Sequence, residues 1–186
     1  MDPPSYENWP LTAPKSFRLF TISEEIDGNT TIACTLSSFD LDKAPPYIAL
    51  SYTWGTADDK QKIALSPGNS TLLVTKTCHS ALGRLRKCYC KPDSTVRHFW
   101  IDAICIDQSN VQERNTQVAM MADIYRTASR VVIDVGEMED SSGAEDALYA
   151  LVNLEGYQDD DNLRVLPFST GALVRDSVHS FYQRSW

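Results

Sequence analysis

No apolar run in this chain approaches the ~20 residues that a membrane-crossing helix needs. The longest, Tyr47 to Tyr52 and Ala128 to Val135, are short and contain polar side chains, so no membrane span is expected. The segment Met1 to Pro10 lacks a basic stretch followed by an apolar one, so no secretory leader is expected and a cytoplasmic location is the simplest expectation. Neither GxGxxG nor GxxxxGK occurs, which removes the common phosphate-cradling loops. Histidine is scarce, with three in 186 residues, and His79 adjoins a hydroxyl, Ser80, inside a helical pattern. Spacing therefore assembles no Ser/His/Asp triad. The five cysteines are an odd number without a repeated CxxC, and Cys88-Tyr-Cys90 has only His98 nearby, so free thiols and no metal are expected.

What is present is the composition of a globular protein, 42% hydrophobic and 23% charged. A chain of this length buries roughly 70% of its unfolded surface, enough for a core without cross-links. The net charge of -8 opposes nucleic-acid binding, which needs a basic face. From Glu137 to Asp161 there are nine acidic residues and no Lys or Arg, so the acidity is one local stretch. Such a stretch is most often a solvated face.

Prolines 3, 4, 10 and 14 mark residues 1–16 as an extended N-terminal arm, since proline removes donors and suits neither a helix interior nor a central strand. Phe17 to Ile22 and Thr30 to Leu36, separated by Asp27-Gly28-Asn29, read as a hairpin. After Pro45-Pro46, Tyr47 to Gly55 is a nearly continuous apolar run of strand length ending in a tight turn, as for a strand buried on both faces. Gln61 to Leu65 and Thr71 to Val74 form a second hairpin around Ser66-Pro-Gly-Asn-Ser70. Thr75 caps a helix over 76–89, whose apolar residues recur at three and four positions. His98 to Asp102 reads as a short strand. Asn110 and Glu113 then form a capping box opening a long helix with the stripe Val118, Met121, Ala122, Ile124, Tyr125 and Ala128. Val131 to Val135 is the next strand, and Ser142 with Glu145 heads a helix from Gly143 to about Leu154. Strands alternating with helices between 47 and 135 give an α/β core with a largely parallel sheet flanked by helices, decorated by antiparallel hairpins.

Sites in such sheets lie at the carboxyl ends of strands, which selects Tyr52 to Gly55, Asp102 to Gln108 and Asp134 to Glu137. Asp102, Cys105, Asp107 and Gln108 put two carboxylates, a thiol and an amide within seven residues. A carboxylate there can bind ribose hydroxyls or act as a base, and Cys105 can be a nucleophile if a neighbour lowers its pKa. Equally, the acids cap turns and the cysteine packs. Glu113, Arg114 and Gln117 share a face of the following helix, where they bind a ligand together or serve as cap partner and ion-pair donor. Ser51, Tyr52, Trp54 and Gly55 bring hydroxyls and an indole to the mouth of the central strand, the indole stacking on a base or anchoring the core.

Tyr47-Ile-Ala-Leu-Ser-Tyr-Thr-Trp-Gly55 resembles the first signature of the heterokaryon incompatibility domain of filamentous fungi. Phe99-Trp-Ile-Asp-Ala-Ile-Cys-Ile-Asp-Gln108, followed by Glu113-Arg114, Gln117, Met121, Ile124-Tyr125 and Ala128, resembles its second. The resemblance divides the chain into the arm, 1–16, and a partial domain, 17–186, best matched over 47–137. Two departures stand out: Asp134, where the family has an apolar-aromatic strand end, and Phe181 to Trp186, which resembles the opening of a third motif without its Gln-Glu continuation. The resemblance implies a TIR-like, flavodoxin-like fold and a role in non-self recognition and programmed cell death through self-association or a protein partner. It also implies two alternatives: NAD hydrolysis, with NAD as substrate and no resident cofactor, and a truncated, inactive paralogue. Without the Gln-Glu pair, Glu113 is the candidate catalytic glutamate inside a matched motif, and Glu145 a helical carboxylate outside any.

Overall fold

The structure, a computed structural model, describes residues 6–23, 31–55, 58–67, 70–90, 94–134 and 163–165. Its strands are β1 (Ser16–Ile22), β2 (Ala33–Asp40), β3 (Tyr47–Tyr52), β4 (Lys60–Ser66), β5 (Ser70–Thr75), β6 (His98–Trp100), β7 (Arg130–Asp134) and β8 (Leu163–Val165). Its helices are α1 (Lys76–Tyr89), the single turn α2 (Asp102–Cys105) and α3 (Val111–Thr127). The strands form one sheet in the order β5-β4-β2-β1-β6-β3-β7-β8.

The half carrying β6, β3, β7 and β8 is parallel throughout. Taken in chain order, its four strands lie second, first, third, fourth. β3 is central because all six of its residues are buried, so both of its faces need cover. That cover comes from helices on opposite sides. Tyr47 reaches α3, its hydroxyl donating to Ile124 O, whereas Tyr52, five residues on and so on the other face, lies beside Cys78 of α1.

The expected hairpins are present as antiparallel pairs β1/β2 and β4/β5, but they are not decorations on a largely parallel sheet. They make up its other half, and the sheet is mixed. β2 pairs parallel with β4, and β1 pairs antiparallel with β6 through Phe20 and Phe99. Phe17, Leu19 and Phe20 of β1 are all fully buried, so both faces of the strand are covered, and its two edges are taken by β2 and β6. The arm is tied down rather than extended throughout. Tyr6–Asn8 is a 3-10 turn, and Tyr6 and Trp9 belong to the core.

α1 begins at Thr75, whose hydroxyl accepts from Cys78 N. α3 begins at Asn110, whose side chain accepts from Gln112 N and Glu113 N. In α3 the buried face is Gln117, Met121 and Ile124, while Ala122, expected in the stripe, is exposed. The strand expected to reach Asp102 stops at Trp100, because Asp102 already opens α2. The turn at Asp27-Gly28-Asn29, the Gly143 helix, the acidic stretch and Phe181 to Trp186 lie outside the described residues.

Candidate functional site

Ser51 and Tyr52 are both buried, and as consecutive strand residues they point to opposite faces, so they do not share a pocket. The chain leaves β3 through Trp54 and Gly55. Gly55 has φ 70°, and a Cβ there would lie 2.8 Å from both Oγ1 and Cγ2 of Thr77. Thr77 Oγ1 in turn donates to Trp54 O at 2.7 Å, pinning the turn to the first turn of α1. The Trp54 indole is 42% exposed, yet its Nε1 donates to Asp102 Oδ2 at 3.1 Å. Asp102 Oδ1 accepts from Ala103 N at 2.8 Å. Trp54 and Asp102 thus join the carboxyl ends of β3 and β6 in one exposed mouth.

Beside this mouth, on the α1 side, Tyr52 is register-paired with Asp134 of β7. Asp134 is 2% exposed and accepts from both Nε and Nη2 of Arg84, each at 2.9 Å. This α1-to-β7 ion pair accounts for the acid at the strand end. Nothing local to Arg84 in the sequence of α1 signals this partner, which lies 50 residues away.

Glu113 belongs elsewhere. Its carboxylate grips Arg18 of β1 at 2.6 and 3.0 Å and accepts from Asp107 N at 2.7 Å. Arg18 is 1% exposed; its Nε donates to Trp9 O and its Nη1 to Cys105 O, and its guanidinium lies 4.7 Å from the centre of the Tyr6 ring. Within the capping box expected at Asn110, the glutamate therefore turns to a buried cation and the loop. The missed partner carried a signal: an arginine inside an apolar strand buried on both faces requires a carboxylate.

The remaining candidates build the same scaffold. Gln117 donates to Ser16 O at 2.8 Å. Asp107 accepts from Ser109 N and Oγ, and Gln108 Nε2 donates to Asp102 O. Arg114 is exposed, and among the described residues its guanidinium reaches Gln108 O alone, at 3.5 Å. A cleft of about 730 Å³ separates the arm from the start of α3, lined among others by Tyr6, Leu11, Asp107, Asn110 and Gln117.

Electrostatics separate the two groups further. Cys105 is fully buried, and burial pushes its thiol up to about 12, the reverse of what a nucleophile needs. Burial likewise pushes Cys78 to about 12 and raises the Tyr52 phenol. Among the described residues there is no group of three or more His, Cys, Asp or Glu placed to hold a metal ion. Nor is any helix among them long and apolar enough to cross a membrane.

Comparisons with known proteins follow the same residues. The family model described as Heterokaryon incompatibility protein (HET) matches residues 47–186. The chain is 30% identical over 152 residues to Heterokaryon incompatibility protein 6, OR allele, of Neurospora crassa, covering 77% of this chain and 22% of that protein. It is 30% identical over 92 residues to Vegetative incompatibility protein HET-E-1 of Podospora anserina, covering 49% of this chain and 6% of that protein. The chain thus spans about a fifth or less of the length of these curated relatives. No solved structure matches it. With both of its signature segments inside the matched region and meeting at the Trp54–Asp102 contact, the chain belongs to the heterokaryon incompatibility family.

Proposed function

We propose that this chain is the incompatibility module of a fungal non-self-recognition protein and triggers cell death through self-association or a protein partner. The observation that carries the reading is the Trp54–Asp102 contact, which places one residue from each signature segment at the same exposed strand-end mouth. An exposed tryptophan held rigid by a carboxylate is a suitable anchor for a partner, because its large face is presented at little entropic cost. Expression of the chain in a filamentous fungus is expected to arrest growth, while a Trp54→Ala/Asp102→Ala form is tolerated. Equal growth of strains carrying the chain, the double variant and an empty vector, at matched protein levels, sinks the reading.

The strand order supports a second reading. The parallel strands lie second, first, third, fourth, as in flavodoxin-like sheets, whose ligands bind beyond the carboxyl ends where the order reverses. That crevice, between β3 and β7, adjoins the Trp54–Asp102 mouth. In a TIR-like nucleotide hydrolase, Trp54 would stack on the base and Asp102 would accept from ribose hydroxyls, with NAD as substrate. Glu113 has no part in this version, since its carboxylate is committed to Arg18. Incubation of the purified chain with NAD, followed by nicotinamide analysis, tests it against an Asp102→Ala control; equal release from both excludes it.

A further inference from the structure

α2 is one turn long, and a single turn is not stable by itself in water. It nevertheless carries Asp102 at its first position and so sets where the Trp54 indole can go. Its last carbonyls have no later turn to bond to and need donors from outside the helix. Two come from the N-terminal side of the chain. Tyr6 Oη donates to Ile104 O at 2.9 Å, and Arg18 Nη1 donates to Cys105 O at 3.1 Å. Arg18 also binds the arm, through Trp9 O at 2.7 Å and the face of the Tyr6 ring, and is itself fixed by Glu113.

We propose that Arg18 is a positioning residue and that the arm is a strap: together they hold the end of α2, and through it keep Asp102 in place for Trp54. Release of the strap frees the mouth without touching either of its residues. The functional weight of this coupling rests on the mouth being the site proposed above, but the coupling is measured independently of that reading. Neither Tyr6 nor Arg18 lies inside the family match, so the mouth of the family domain is held by residues that precede it.

The experiment uses the full chain labelled with 15N, in which each of the four tryptophans contributes one indole N–H signal. Trp54 is assigned by the signal lost in Trp54→Phe, and its unbonded position is set by Asp102→Ala. Tyr6→Phe, which deletes one hydroxyl, and Arg18→Lys are expected to move the Trp54 signal toward the Asp102→Ala position and to speed its exchange with water. A purely structural role predicts something else: a lower Tm with the Trp54 signal unmoved in a dispersed spectrum. That result overturns the proposal. If Arg18→Lys fails to fold, Tyr6→Phe alone decides the matter. A shifted signal with a negative growth assay overturns the functional reading and keeps the strap. An unmoved signal with a positive growth assay does the opposite.

Discussion

Arg18 occupies a strand covered on both faces, where a guanidinium is costly to bury unless a carboxylate meets it. Glu113 does so with both oxygens. The losses on replacing the two residues are therefore expected to be coupled rather than additive. Glu113→Leu is expected to lower unfolding free energy by about 3–5 kcal/mol, because an unpaired buried charge remains, and the Arg18→Met/Glu113→Leu loss to fall short of the sum of the Glu113→Leu and Arg18→Met losses. Urea denaturation of Glu113→Leu, Arg18→Met and the double variant checks it, and additive losses would show that the two residues do not act as a pair. The thiols give a second residue-scale expectation. Cys78 and Cys105 are held at about 12 in the folded chain against an ordinary 9.0. Between those values the unfolded chain has lost protons that the folded chain keeps, so stability falls as pH rises. It should be flat with respect to these groups below pH ~9 and decline above it. Cys105→Ala should shallow the decline, as read from urea midpoints across that range. A slope unchanged by Cys105→Ala would mean the thiol is not what couples.

Helices were the most legible elements, because their signals are local. The three- and four-residue spacing from Cys78 to Tyr89 and the Thr75 cap together delimit α1, and Asn110 marks the start of α3 in the same way. Asn110→Ala removes the acceptor for Gln112 N and Glu113 N and should cost about 1 kcal/mol, with Asn110→Asp retaining most of it. Thermal unfolding distinguishes the two. What the sequence did not disclose was non-local. Gln117 replaces Ala122 in the buried face of α3 because the amide is needed by Ser16 O, 101 residues earlier. Asp102 reads as the end of a strand because the four residues of α2 carry no helical period, and the donors that hold α2 sit on Tyr6 and Arg18. The site was half legible for the same reason. Strand ends pointed to Trp54 and Asp102, which a hydrogen bond brings together, but Ser51 and Tyr52 diverge by strand alternation, and Glu113 answers an arginine 95 residues away.

For the whole molecule, the sheet order makes the two halves of the chain interdependent. β1 and β2 stand between β4 and β6, so residues before the family match fill the middle of the sheet rather than an edge. Without them β6 would become an edge strand of three residues, Phe99 would lose Phe20, and Glu113 would lose Arg18. β4 and β5 would be cut off from the rest of the sheet and left as a two-stranded hairpin held by its packing on α1. A chain trimmed to residues 47–186 is thus expected to lack a cooperative unfolding transition, and one trimmed only of residues 1–5 to retain it. Urea titration followed by near-ultraviolet circular dichroism makes the comparison. If the 47–186 fragment unfolds cooperatively with an m-value in proportion to its size, β1 and β2 are accessories, and the boundary of the family match is also the boundary of the folding unit. If it does not, that boundary marks shared sequence only, and experiments on this mouth need the preceding strands to give it its shape.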